Sequence, residues 1–215
     1  DEHAVIENRR RLQDSFALPG PPHWLRQTHS ADVADLAVAV DDAKVCADGA
    51  WTSEPGKVLA VLTADCLPVV ISDTQGTELA VVHAGWRGLA AGILHNALAR
   101  FSADLQLHAW LGPAIGPQAF EVGAEVRQAF IERNPAHAAS FRSRATAGLQ
   151  QPSEVKYWAD LYALATTELQ QTRTVLVSGG DYCTLTQAES FHSHRRDGAR
   201  SGRMATIAWM DAVHT

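Results

Sequence analysis

The stretch Val58–Gly88, VLAVLTADCLPVVISDTQGTELAVVHAGWRG, constrains this chain more than any other. It holds short, Val-rich apolar runs at Val58–Leu62, Leu67–Ser72 and Leu79–Val82. Runs this short, bounded by Asp, Pro and Gly, read as buried strands, because a helix needs a longer periodic pattern. The first run leads into Thr63-Ala64-Asp65-Cys66. The second stops at a turn, Asp73-Thr74-Gln75-Gly76. The third ends on His83, and Ala84-Gly85-Trp86-Arg87-Gly88 opens a helix. Neighbouring strands lie about 5 Å apart. If these strands pair, Cys66 and His83 reach one metal ion or one substrate.

Around this stretch, strands and helices interleave without a regular β–α–β rhythm. Helices are expected over Ala4–Phe16, Ala84–Phe101, Ala124–Arg133 and Trp158–Gln171. Strands are expected over Trp24–Thr28, which delivers His29, and over Val38–Val40, Leu107–Leu111, Thr174–Val177 and Met204–Met210. Ala47–Trp51 reads as a turn with a short strand. Gly112–Pro117 reads as a fixed loop, Asn134–Pro152 as a polar, Ala-rich loop or loose helical excursion and Phe191–Arg203 as a basic, Gly-punctuated loop. This pattern predicts an α+β fold with mixed sheets rather than a doubly wound one.

No Pro/Gly/Ser-rich linker divides the 215 residues, so residues 1–215 are expected to form a single domain. A net charge of -6 gives no general affinity for nucleic acid, although Arg195, Arg196, Arg200 and Arg203 form a local basic cluster. Charges interrupt every apolar stretch well short of the roughly 18 residues a membrane span requires. There is no signal-peptide pattern. Cys46, Cys66 and Cys183 are odd in number and widely spaced, which fits a reducing, cytoplasmic setting better than a disulfide framework.

His29, Cys66 and His83 each fall at the end of an expected strand. Two imidazoles and a thiolate make a zinc set with an open fourth position, the pattern of a catalytic site. The same residues admit a cysteine nucleophile with a histidine base, a Cys66/His83 dyad in a hydrolase, although Asp65 beside Cys66 opposes a lowered thiol pKa. They also admit a plain packing role for a buried cysteine. Spacing does not choose among these readings.

Several runs together resemble one family. They are Gln27-Thr28-His29, Thr63-Ala64-Asp65-Cys66-Leu67-Pro68, His83-Ala84-Gly85-Trp86-Arg87-Gly88, Leu111-Gly112-Pro113-Ala114-Ile115-Gly116, Arg195-Arg196-Asp197-Gly198 and Gly202-Arg203-Met204. The chain looks like a member of the YfiH family, also called laccase-domain or polyphenol-oxidase-like proteins and described as purine nucleoside phosphorylases. The likeness runs in order over nearly the whole chain. It implies one domain of mixed sheets flanked by helices, and a zinc site on His29, Cys66 and His83. It further implies phosphorolysis of adenosine, inosine or guanosine, with adenosine deamination as a second activity. The laccase label brings a rival, a copper-dependent polyphenol oxidase. Ten histidines with one H-x-H pair, His192 and His194, are few for a multicopper centre.

Two departures stand out. Family members usually begin with a further segment carrying a T-x-R-x-G-G-V-S-like motif, and this chain opens within what looks like the segment after it. The family's F-F-S-Y-R-R-D-G also stands here as Phe191-His192-Ser193-His194-Arg195-Arg196-Asp197-Gly198. Roles can then be assigned as expectations. Arg196 or Arg203, with Arg87 as a further candidate, would clamp phosphate, because guanidinium matches an oxyanion bidentately. Asp65, next to Cys66, would carry a proton or orient a ligand. Cys66 and His83 complete the catalytic set. The expected partners are a purine nucleoside and phosphate, with neither nucleic acid nor membrane.

Overall fold

A computed structural model describes residues 2–37, 45–144 and 155–211; the strand expected over Val38–Val40 lies outside them. The first half of the chain forms α1 (Glu2–Phe16), β1 (His23–Trp24), β2 (Val33–Asp35), β3 (Gly49–Thr52), β4 (Leu59–Thr63), β5 (Leu67–Asp73), β6 (Leu79–Ala84), α2 (Trp86–Ala91) and α3 (Ile93–Leu98). The second half forms β7 (Leu107–Leu111), β8 (Glu121–Val122), α4 (Ala124–Arg133), β9 (Phe141–Arg144), β10 (Lys156–Ala159), α5 (Leu161–Thr172), β11 (Val175–Gly179), α6 (His194–Asp197) and β12 (Met204–Ala208). The fold is α+β with mixed sheets, as the interleaved pattern predicts.

The main sheet has the order β11-β7-β5-β6-β3-β2, with parallel pairs at its two edges and antiparallel pairs between. A smaller sheet, β1-β4-β12, lies against it, and β8-β10-β9 forms a third. The hairpin β5–β6 sits at the centre, in a register that sets Leu67 opposite Ala84 and Pro68 opposite His83. Side chains of β6 alternate between two cores. Ala80, Val82 and Ala84 join Leu89, Ile93, Phe130 and Leu164 beneath the helices. Leu79 and Val81 join Leu59, Val61 and Met210 between the sheets.

Burying one Val or Leu stabilises by about 1.5–3 kcal/mol. A one-residue slip of β6 would exchange its two faces and lose that match. His83 follows Val81 in the same alternation, so the register that packs the core also turns His83 toward the β4 sheet.

Several expected boundaries move. The helix expected over Ala84–Phe101 is two helices, broken at Gly92, which has φ 93°. The Arg133 guanidinium occupies the place where a Cβ at Gly92 would stand. The helix expected from Trp158 begins at Leu161. Trp158 pairs in β10, and Asp160 caps the helix by accepting from the Ala163 N–H at 3.0 Å. Where a loop or loose helical excursion is expected after Asn134, the described part forms a 3₁₀ turn over Pro135–Ser140 and then an unexpected strand, β9. The basic loop contains α6 and a 3₁₀ turn over Gly198–Arg200. Among the described residues, no helix is long and apolar enough to cross a membrane.

Candidate metal centre

Three separate chain segments meet at the Cys66 end of β5. Gln27 anchors the first. Its side-chain N–H donates to the Leu62 carbonyl at 2.9 Å, and its side-chain oxygen accepts from the Leu62 N–H at 2.8 Å. Gln27 thus takes the place of a strand residue beside β4 and leaves Thr28-His29-Ser30 free to turn. His29 turns with a left-handed φ of 61°. Cys66 immediately precedes β5, and His83 is the penultimate residue of β6, opposite Pro68 at the end away from the hairpin turn.

The ligating atoms of His29, Cys66 and His83 all lie within 4.8 Å of one another, and among the described residues no other such His/Cys/Asp/Glu group occurs. Cys66 Sγ is 4.0 Å from His29 Nε2. The two imidazoles meet edge to face with centroids 4.9 Å apart.

One buried carboxylate organises this meeting. Asp48 has no exposed surface. Its Oδ1 accepts from His83 Nδ1 at 2.7 Å and from the His29 N–H at 2.9 Å. Its Oδ2 accepts from the Thr28 N–H at 2.9 Å, the Ser30 N–H at 2.7 Å and the Ser30 hydroxyl at 3.0 Å. Burial by itself would raise the Asp48 pKa. The bonds from His83 and from the Thr28, Ser30 and His29 N–H groups outweigh it and hold the carboxyl well below the usual carboxylate range. A carboxylate can only accept, so His83 Nδ1 must be the donor. Its Nε2 lone pair is therefore the one left for a metal, the arrangement in which a carboxylate orients a ligating histidine.

The remaining electrostatics agree with a ligand set. Burial pushes the Cys66 thiol up, but His29 and His83 draw it down to about 7, near the thiolate form a metal needs. Burial lowers the His83 pKa, while Asp48 and Cys66 raise it to about 9. A metal held by His83 Nε2 would have to displace the proton there. Gly85 forms the floor of the site. A Cβ there would lie 3.1 Å from both Cys66 Sγ and His29 Cδ2 and 3.4 Å from His83 Cε1. The donor types, the His83 tautomer and the bare floor fit a three-ligand metal site.

The group lines a cavity of about 460 Å³ together with Gln27, Thr63, His194 and Arg203. A larger cavity of about 620 Å³ shares Thr63 with it. Its walls, including Pro68, Trp110, Phe191 and Met204, carry no ionisable side chain. The chemistry therefore belongs to the smaller cavity, and the larger one offers an apolar annex.

Not every expected site residue meets the triad. Arg203 lines the cavity, with Nη1 donating to the Ser201 and Gly202 carbonyls at 2.9 Å. Arg196 is turned away. Its guanidinium donates to the Thr184, Leu185 and Phe191 carbonyls and to Asp197, which leaves it a loop brace. Arg87 lies over the Trp86 ring, 4.4 Å from its centroid, and does not line the cavity.

Asp65 does not line the cavity either. Its oxygens accept from the Thr184 hydroxyl and the Arg195 N–H, each at 2.6 Å, so the carboxylate braces the C-terminal loop instead of facing the cavity. Asp48 is the residue sequence reading missed. It stands in a turn, Ala47-Asp48-Gly49, and nothing near it in the chain marks the donors that converge on it. In the sequence, His194 stands out only as a departure from the family pattern.

A mixed-sheet α+β chain that gathers two histidines and a cysteine at strand ends, with an aspartate behind one of them, belongs to the class of candidate metalloproteins. Comparison with known proteins narrows that class. The family model described as multi-copper polyphenol oxidoreductase laccase matches residues 1–211. The chain belongs to this laccase-domain family, the YfiH family. It is 46% identical over 213 residues to a protein of Xylella fastidiosa (strain 9a5c) named purine nucleoside phosphorylase, covering 96% of this chain and 78% of the relative. It is 45% identical over 207 residues to purine nucleoside phosphorylase YfiH of Escherichia coli (strain K12), covering 96% and 81%. The crystal structure of Neisseria meningitidis protein NMB0706 superposes with a TM-score of 0.85 at 38% identity, covering 99% of this chain and 83% of that one.

Proposed function

We propose that the protein is a zinc-dependent purine nucleoside phosphorylase acting on adenosine, inosine and guanosine, with adenosine deamination as a second reaction of the same pocket. The observation that carries the reading is the convergence of His29, Cys66 and His83 within 4.8 Å, with Asp48 fixing His83 from behind. The substrate class is supported by relatives at about 46% identity that are named purine nucleoside phosphorylases. Zinc is favoured over copper by the surroundings. A His₂Cys copper site typically adds a long axial methionine or glutamine, whereas no methionine lines this cavity and both ends of the Gln27 amide are engaged by Leu62.

His29, Cys66 and His83 hold the ion, and when bound it supplies Lewis-acid chemistry beside the substrate. Arg203 takes the phosphate. Its Nη1 contacts with Ser201 and Gly202 fix the guanidinium, and its other edge has no protein partner among the described residues. Gln27 and Asp48 hold the His29 and His83 segments in register. A cavity of about 460 Å³ lies in the range that small-molecule sites occupy.

The test combines metal analysis with product identification. Protein purified without added metal is analysed for zinc and copper, then incubated with adenosine, inosine and guanosine, with and without phosphate. About one equivalent of zinc and phosphate-dependent release of free base are expected. Copper with oxygen-dependent phenol oxidation would favour the laccase-like reading. Activity without any metal would favour a Cys66/His83 nucleophile dyad. Arg203→Ala should raise the phosphate KM about ten- to a hundredfold, the effect of losing a charge-assisted hydrogen bond, and should leave deamination much less affected.

A further inference from the structure

Resting on the phosphorylase reading, we propose that His194 hydrogen-bonds the purine of the bound nucleoside and gives the departing base its proton. His194 lines the same cavity as His29, Cys66 and His83. Yet it is not among the side chains whose ligand atoms converge, so it faces the place of a substrate and not that of the ion. Its ring makes no hydrogen bond or ion pair among the described residues. An imidazole with both nitrogens uncommitted, on the wall of a ligand-sized cavity, is a hydrogen-bonding group awaiting a partner.

The backbone that carries it is held firmly. The Arg195 N–H donates to Asp65 Oδ2 at 2.6 Å, and the Arg196 N–H donates to the hydroxyl of fully buried Ser193 at 3.2 Å. Thr184 fills the other Asp65 oxygen at 2.6 Å. Asp65 directly precedes Cys66, and its own φ is 86°. One carboxylate therefore ties the turn bearing Cys66 to the turn bearing His194. Asp65 is thus a positioning residue, and holding the loop beforehand reduces what binding must spend on ordering it. The same loop walls the apolar annex through Phe191, and Thr63 joins the two cavities. His194 and Arg203 both line the smaller cavity, so one can meet the base while the other holds the anion.

The step balances without a further reagent. The bond from the sugar carbon to the purine nitrogen breaks, and its electron pair passes to the purine. An oxygen of dihydrogen phosphate forms the new bond to the sugar carbon. The imidazolium N–H proton passes to a purine ring nitrogen, and the proton released by the phosphate restores the imidazolium. Placed general acids of this kind contribute about 10²–10⁴-fold.

The test uses the zinc-loaded chain with His194→Gln and His194→Tyr. His194→Gln should lower kcat for inosine about 10²–10⁴-fold with zinc content and phosphate KM unchanged. His194→Tyr keeps a donor and should recover part of the loss. Independently of turnover, ¹⁵N-histidine spectra should show the His194 ring nitrogens, assigned by their loss in His194→Gln, shifting when hypoxanthine is added. Full turnover by His194→Gln, or hypoxanthine bound with His194 unshifted, overturns the assignment. Loss of zinc in His194→Gln would make it a metal ligand and overturns it as well. A wild-type protein that neither binds hypoxanthine nor cleaves inosine defeats the phosphorylase reading itself, and this inference falls with it.

Discussion

At the turn end of the β5–β6 hairpin, Asp73 accepts from the N–H groups of Gln75, Thr77 and Glu78 at 2.9, 2.7 and 2.7 Å and from the Thr77 hydroxyl at 3.1 Å. At the other end, Asp48 accepts from Thr28, His29, Ser30 and His83. Both carboxylates are buried, and both are held low in pKa by the donors around them against the opposing effect of burial. They differ in where the donors come from. Those of Asp73 lie within five residues and close one turn. Those of Asp48 lie 18 to 35 residues away and bring two histidine-bearing segments to one place.

A third buried pair sharpens the lesson. His137 Nδ1 donates to the Phe130 carbonyl at 3.1 Å, and its Nε2 stands 3.0 Å from Glu168. Each His137 nitrogen faces a protein oxygen, and among the described residues no cysteine or second histidine joins it in a ligand group. A buried histidine beside a carboxylate becomes a ligand candidate only when its second nitrogen is left open.

The comparison can be broken by substitution. The largest effect is expected for Cys66→Ala, which removes the thiolate of a three-ligand set. Zinc should no longer survive dialysis and activity should vanish, while the circular dichroism spectrum stays that of the wild type. Full zinc occupancy with full turnover would remove the metal assignment.

Asp48→Ala comes next. It leaves buried donors unpaired and His83 unoriented, so zinc affinity should fall about 10–100-fold and stability by about 3–5 kcal/mol, read by zinc titration and urea unfolding. A stability loss with unchanged zinc affinity would make Asp48 no more than a second Asp73. Gly85→Ala should weaken zinc only several-fold, since neighbours at 3.1 Å must give by a few tenths of an ångström.

Asp73→Ala should leave zinc binding untouched and cost about 1–3 kcal/mol of stability at neutral pH. The sign of its pH dependence follows from the depressed folded pKa. Asp73 stabilises the fold above its unfolded pKa and loses that contribution as pH falls through the lower folded value. The gap between wild type and Asp73→Ala should therefore close in acid, measured as the difference in urea midpoint across pH. A gap that widens as pH falls would contradict the origin assigned to it.

The same contrast divides what was legible. Short Val-rich runs, the turn at Asp73 and the strand-end positions of Cys66 and His83 follow from periodicity and turn chemistry over a few residues, so the chain itself determined them. The metal-competent trio was nameable from residue type, and the family resemblance pointed to the same residues. The break at Gly92 was hidden because its cause, Arg133, sits on another helix. Arg196 and Arg203 look alike in one basic loop, and only the tertiary structure spends the first on carbonyls and leaves the second in the cavity. Asp48 and Asp65 were likewise decided by folding. Their hydrogen bonds reach across 18 to 130 residues, and a carboxylate's role depends on which donors arrive at it. Periodicity records how each segment buries its own face, but a site assembled from separate segments exists only once those faces have packed.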